Sequence, residues 1–83
     1  MGGIPLNNKK CYLFFSGYYV VSTASQLLAR YQVSNRIVRA PVYLRDSCNF
    51  AVLIDAEDEQ RSLALLEKAK IALEKKAYTA KTM

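Results

Sequence analysis

Two uninterrupted apolar runs, Cys11-Tyr12-Leu13-Phe14-Phe15 and Phe50-Ala51-Val52-Leu53-Ile54, stand apart in a chain whose other hydrophobic residues recur at intervals. Five apolar residues without polar alternation are the pattern of a strand covered on both faces or nearly so, and each run is read as a central strand. After Ser16-Gly17, the residues Val20, Val21, Ala24, Leu27, Leu28 and Tyr31 return at three- and four-residue spacing through Gln32, which predicts one amphipathic helix. Ser16 is placed as its N-cap, a hydroxyl able to accept from the first-turn amides. Asn35 to Ala40 is short, β-branched, charged at intervals and closed by Pro41, the signature of an edge strand. The polar, turn-prone residues 41–49 lead into the second apolar run. Asp55-Ala56-Glu57-Asp58 then supplies a cap residue with acids in the first turn, which suits the helix dipole. Apolar Leu63, Leu66, Ala69, Ile71 and Leu73, with Glu67, Lys68, Lys70, Glu74, Lys75 and Lys76 outside, carry that second helix into the low seventies.

Strand, helix, strand, strand, helix and an optional fourth strand define an α+β chain. The expected arrangement is a ferredoxin-like βαββα(β) sandwich, with two helices on one face of a small mixed or antiparallel sheet. Strands one and three are the central pair in that topology, which is where the two apolar runs fall. Eighty-three residues, 52% of them hydrophobic and 23% charged, suit a single globular domain. Residues 1–9 read as a loose leader, 10–76 as the domain, and 77–83 as a tail or short edge strand; no internal repeat is visible. Because the helices cover one face only, Tyr12 and Phe14 are expected on an open sheet face that invites a partner.

Twelve Lys and Arg against seven Asp and Glu give a net charge of +5, a basic surface that favours anionic partners. The absence of His removes the commonest general base and zinc ligand, so no metal and no cofactor is expected. No run reaches the roughly 20 apolar residues of a membrane span. Lys9-Lys10 before the apolar stretch 11–21, with Ser22-Thr23-Ala24 after it, imitates a signal peptide, but cleavage there would delete an aromatic segment that the core needs. Cysteines at 11 and 48 form neither a redox pair nor a disulfide framework, so a reducing cytoplasm is the expected location.

Chemistry is therefore sought at a thiol. Cys48 stands in Leu44-Arg45-Asp46-Ser47-Cys48-Asn49 at the mouth of the third strand, and the topology puts that loop at the same end as the start of the first helix. The positive end of a helix stabilises a thiolate. Cys48 is thus a candidate activated thiolate beside Ser16, Gly17 and Tyr18, with Arg39 and Arg45 adding positive potential and Asp46 offsetting part of it. Cys11, inside the first strand, is read as structural. Asp55, Glu57 and Asp58 are read as helix-start acids and not as a metal cluster. Ser16 has no residue at an interpretable spacing to activate it, so a catalytic hydroxyl is not assigned.

Phe15-Ser16, Ala24, Leu27-Leu28, Arg36-Ile37-Val38, Pro41, Leu44, Ser47-Cys48 and Ala51-Val52-Leu53 together form a pattern over residues 11 to about 73. In this respect the chain resembles the selenium/sulfur carrier-like family of short bacterial proteins. That resemblance implies an accessory protein, not an enzyme, holding a persulfide or selenide on Cys48, with Ser16, Gly17, Ser47 and Arg45 in support and sulfur- or selenium-transfer proteins as partners. The sequence departs from the family pattern at Asn49, where glycine is usual, at Val42, where a basic residue is usual, and at Arg45, where the family has serine. These changes weaken the loop as an anion binder and leave the thiol intact. Two rival readings stand beside it. Arg36 and Arg39 with Tyr12 and Phe14 would make an RNA-facing sheet, although the third strand lacks the basic-Gly-aromatic signature of RNA-recognition modules. Alternatively, the aromatic face mediates a homodimer with no chemistry.

Overall fold

The structure, a computed structural model, describes residues 9–40 and 49–78. Strand β1 spans Lys10–Phe14, helix α1 Tyr18–Arg30, β2 Asn35–Arg39, β3 Phe50–Asp55, helix α2 Glu59–Lys68 and β4 Lys75–Tyr78. The four strands form one sheet in the order β2-β3-β1-β4, and every adjacent pair is antiparallel. This is the expected α+β architecture and is compatible with the ferredoxin-like arrangement, with the two apolar runs at its centre. The fourth strand begins at Lys75, two residues before the stretch expected to carry it.

Alternation along the strands separates two faces. Cys11, Leu13, Val52 and Ile54 point to the helices and join Phe15, Val21, Ala24, Leu28, Val33 and Leu66 in the main core. Burying a leucine or phenylalanine side chain contributes about 1.5–3 kcal/mol, so this cluster dominates stability. The other face carries a smaller cluster of Phe14, Ala40 and Ala51, flanked by Tyr12 and Ala77. Phe14 is only 3% exposed there, against Tyr12 at a ring separation of 6.2 Å and beneath the Lys75 ammonium at 5.0 Å.

The helix boundaries depart from the sequence expectations for identifiable reasons. Gly17, not Ser16, occupies the N-cap of α1: the first helical bond runs from the Val21 N–H to the Gly17 carbonyl at 3.0 Å, and Ser16 is exposed one residue earlier. Helix α2 begins at Glu59 after a single 3-10 turn, Ala56–Asp58, and Asp55 makes no cap. The Asp55 carboxylate instead accepts from Lys10 Nζ at 2.6 Å, across the β1–β3 pair.

The end of α2 is a larger correction, since it stops at Lys68 and not in the low seventies. Lys70 adopts a left-handed backbone with φ 61°, its N–H bonds to the Glu67 carbonyl at 3.0 Å, and the Ile71 N–H bonds to the Leu66 carbonyl at 2.9 Å. These two bonds define a Schellman stop. Helix α1 ends the same way: Gln32 has φ 63°, with Gln32 N–H to Ala29 at 3.0 Å and Val33 N–H to Leu28 at 2.9 Å. Behind this likeness lies a short repeat that the sequence reading missed: Leu27-Leu28-Ala29-Arg30-Tyr31-Gln32-Val33 matches Leu65-Leu66-Glu67-Lys68-Ala69-Lys70-Ile71. In both, the apolar residue after the left-handed one folds back onto the core. Ile71 and Leu73 continue the apolar spacing because they do pack on the core, although from a non-helical connection.

Edge strand β4 is tied down from α2. The Glu59 carboxylate accepts from Lys76 Nζ and from Tyr78 Oη, the latter at 2.6 Å, and the Glu74 N–H reaches the Phe14 carbonyl at 2.8 Å. The hydrogen bond from Lys76, then that from Tyr78, holds the Glu59 carboxyl below its ordinary value of 4.5, and the same contacts raise the Lys76 and Tyr78 values. A depressed carboxyl stabilises the fold above its ordinary value and loses that contribution as pH falls below it. Exchange of the β4 backbone amides, corrected for intrinsic rates, is therefore expected to accelerate as pH drops below about 4.5. Glu59→Gln should show fast exchange already at neutral pH and no acid step.

One polar atom in the core is left unmatched. Ser62 on α2 is fully buried and its hydroxyl has no hydrogen-bond partner among the described residues. Such a group costs roughly 1–3 kcal/mol. Ser62→Ala should raise unfolding stability by about 1 kcal/mol, read as a higher urea midpoint at unchanged slope.

Candidate functional site

The sheet register fixes which segments meet at one end of the molecule. Leu13 of β1 lies opposite Val52 of β3 in an antiparallel pair, so the end of β1 and the beginning of β3 share that end. From there the chain passes through Phe15, Ser16 and Gly17 into α1. The first residue of α1, Tyr18, sets its ring edge-on against Phe50, the first residue of β3, at 5.2 Å. The neck of the β2–β3 connection closes beside them, with the Ala40 N–H donating to the Asn49 carbonyl at 2.8 Å.

Among the described residues, the charge at this end is positive. The N-cap, Gly17, makes no side-chain cap and the first turn of α1 holds no acid, so no capping bond or acidic first-turn side chain among the described residues offsets the partial charge of the amides that open the helix. Arg39, at the end of β2, holds its guanidinium over the Phe50 ring at 5.5 Å. A methyl group added at Gly17 would meet nothing within 4 Å, so the approach to the helix start is open. Arg39, Phe50, Tyr18 and the α1 N-terminus therefore make one basic, aromatic-edged corner suited to an anion or thiolate.

Of the residues assigned to the site from sequence, Ser16 and Gly17 stand at this corner, Ser16 exposed and Gly17 half-buried. Cys48, Ser47 and Arg45 lie outside the described residues, while Asn49 and Phe50, which follow them in the chain, are at the corner. Sequence reasoning gave Arg39 a minor role and missed Phe50; the signal was that an edge strand ending in a cation precedes the loop, and an aromatic residue follows it.

Cys11 is the opposite case. It is fully buried on β1, facing the helices opposite Ile54 and Tyr78, and its thiol lies 3.9 Å from the Tyr12 carbonyl. Burial first, then the nearby Glu59 carboxylate, push its thiol from the ordinary 9.0 up to about 11, with Lys76 opposing. The structural assignment from sequence agrees with this burial. No group of three or more Cys, Asp or Glu positioned to hold a metal ion occurs among the described residues. No helix is long and apolar enough to cross a membrane among those same residues.

The RNA-facing arrangement loses its geometry here. Arg36 pairs with Leu53 on the open face, whereas Arg39 pairs with Phe50 on the helix-facing side, so the two arginines flank opposite faces of the sheet. Phe14 is already buried and offers no free ring for a base.

The fold and this corner define a small α+β protein with one basic end next to a thiol-bearing connection. A family model described as Putative Se/S carrier protein-like matches residues 10–77, and the chain belongs to that family. No curated protein and no solved structure matches the chain.

The raised Cys11 value has a definite sign. Its stabilising effect is complete below the ordinary 9.0 and is lost as pH rises toward about 11 and beyond. In Cys48→Ser, whose sole thiol is Cys11, alkylation by iodoacetamide should follow the rate of global unfolding, and stability should fall between about pH 9 and 11. Cys11→Ala should shrink that alkaline decline, leaving the part that the raised Tyr78 and Lys76 values contribute.

Proposed function

We propose that the protein is a non-catalytic sulfur or selenium carrier of the cytoplasm, loaded on Cys48. What supports this reading is that Phe50, two residues after Cys48, stands against the start of α1 through the Tyr18 ring, with the Arg39 guanidinium over it. A helix N-terminus and a nearby cation both favour a thiolate over a thiol. Ser16 and Gly17 contribute the open approach at that helix start, and Ser47 and Arg45 the polar loop before the thiol.

The chemistry needs no cofactor. In loading, the Cys48 thiolate attacks the terminal sulfur of a donor persulfide; the donor S–S bond breaks and the donor thiolate leaves. In delivery, an acceptor thiolate attacks the terminal sulfur on Cys48, and the Cys48 thiolate leaves. Each step is an exchange between thiolate and persulfide, with no net oxidation. A lower thiol pKa makes Cys48 the better leaving group, which eases delivery. The partners are accordingly sulfur- or selenium-transfer proteins that bring their own nucleophile. Cys11 takes no part: it is buried opposite Ile54, five residues and about 16 Å along β3 from Asn49. Self-association through the open sheet face draws less support, because Phe14, a large aromatic side chain of that face, is already covered.

Intact-mass analysis of freshly purified protein should show a fraction heavier by one sulfur or selenium atom, localised to Cys48 by peptide mapping and absent from Cys48→Ser. In the wild type, Cys48 should alkylate near neutral pH at least about tenfold faster than an unstructured thiol of ordinary pKa. Equal rates for Cys48 in native and urea-unfolded protein would remove the proposal's basis.

A further inference from the structure

The sheet is open, and its two edges are not alike. At one edge, β4 is four residues long and its Lys76 is occupied by Glu59. At the other, β2 runs five residues without proline and, among the described residues, pairs only on its β3 side. An edge of this kind presents a row of backbone N–H and C=O groups to any extended chain that reaches it.

The side chains of β2 restrict which chain that can be. Its two charged residues, Arg36 and Arg39, are exposed and are three apart, so their guanidinium groups stand on opposite faces of the sheet. Neither has a carboxylate within ion-pair distance among the described residues; Arg39 meets only the Phe50 ring. Between them, Ile37 and Val38 are half-buried and apolar. A second copy of β2 would bring two more arginines onto the same edge, and like charges on neighbouring strands repel. An acidic strand meets the opposite condition.

We propose that the outer edge of β2 takes an extended acidic segment of a partner protein by strand addition, with acidic residues three positions apart set opposite Arg36 and Arg39 and β-branched residues between them. Main-chain hydrogen bonds along β2 supply pairing, and the two arginines, one on each face, select the sequence and its register. The proposal is independent of Cys48, so its success or failure leaves the carrier reading to its own test.

The probe is a capped eight-residue peptide, Thr-Val-Glu-Val-Val-Glu-Val-Thr, with two controls: the same peptide N-methylated at alternate amides on its pairing edge, and one with both Glu replaced by Lys. The expected result is saturable binding of the acidic peptide to full-length protein at low salt, with amide exchange slowed at β2 and not at β4. Arg36→Glu and Arg39→Glu should each weaken it by about tenfold, while Cys48→Ser binds as wild type. Binding of the N-methylated peptide with equal affinity would show charge attraction without strand pairing and overturn the proposal. So would protection at β4 in place of β2, no binding at all, or displacement of nothing but a β2–β2 dimer detected by sedimentation.

Discussion

The antiparallel pairing of β1 with β3 is the constraint on which the rest of the molecule depends. Each strand is apolar throughout its centre, so only a position with a neighbour on both edges and side chains covered on both faces suits it. Pairing them back to back sends Cys11, Leu13, Val52 and Ile54 to the helices and Phe14 and Ala51 to the other face. It also forms the candidate corner, because an antiparallel pair brings the exit of one strand to the entrance of the other. Gly17 and Tyr18 leave from the place where Asn49 and Phe50 arrive. A one-residue slip would invert both faces and expose Leu13 and Val52.

Most of this was legible in the sequence because central strands announce themselves by composition. Period-based reading did less well where burial and backbone geometry part company. Ile71 and Leu73 sit at helix-like intervals after Leu66 and are packed against the core, yet the helix has already ended at Lys68. Nothing but the left-handed Lys70 marks the stop, and a lysine there carries no local signal of the kind glycine gives. Comparison of the two helix ends would have found it, since Gln32 and Lys70 occupy the same place in a shared seven-residue pattern. Caps were overestimated for a related reason: Ser16 and Asp55 are good cap formers, but the hydrogen-bond ladder starts later and Asp55 is committed to Lys10.

The candidate corner was legible only in outline. Topology was enough to place the start of α1 and the entrance of β3 together, and a positive helix end follows from that. What a one-dimensional reading could not supply was facing: Arg36 and Arg39 look like one basic patch in sequence, yet a period of two at separation three puts them on opposite sides. Arg39 then belongs with Phe50 and Tyr18 at the corner, while Arg36 belongs to the open face. The RNA reading depended on merging the two, and the strand geometry separates them, leaving Arg36 with Tyr12 on the open face.

On the carrier reading proposed above, the two thiols divide reactivity from stability. A carrier thiol must be the one nucleophile that a donor meets, and a second accessible thiol would compete for the load. Burial at Cys11, reinforced by Glu59, suppresses its thiolate at neutral pH, and the same Glu59 secures β4 through Lys76 and Tyr78. One carboxylate thus closes the sheet edge and keeps the inner sulfur neutral. The other edge, β2, is left open and runs through Arg39 directly into the segment that bears Cys48. Recognition along β2 and exchange at Cys48 would then be contiguous in the chain, with Arg39 the last residue of the recognition strand before the connection that bears the thiol.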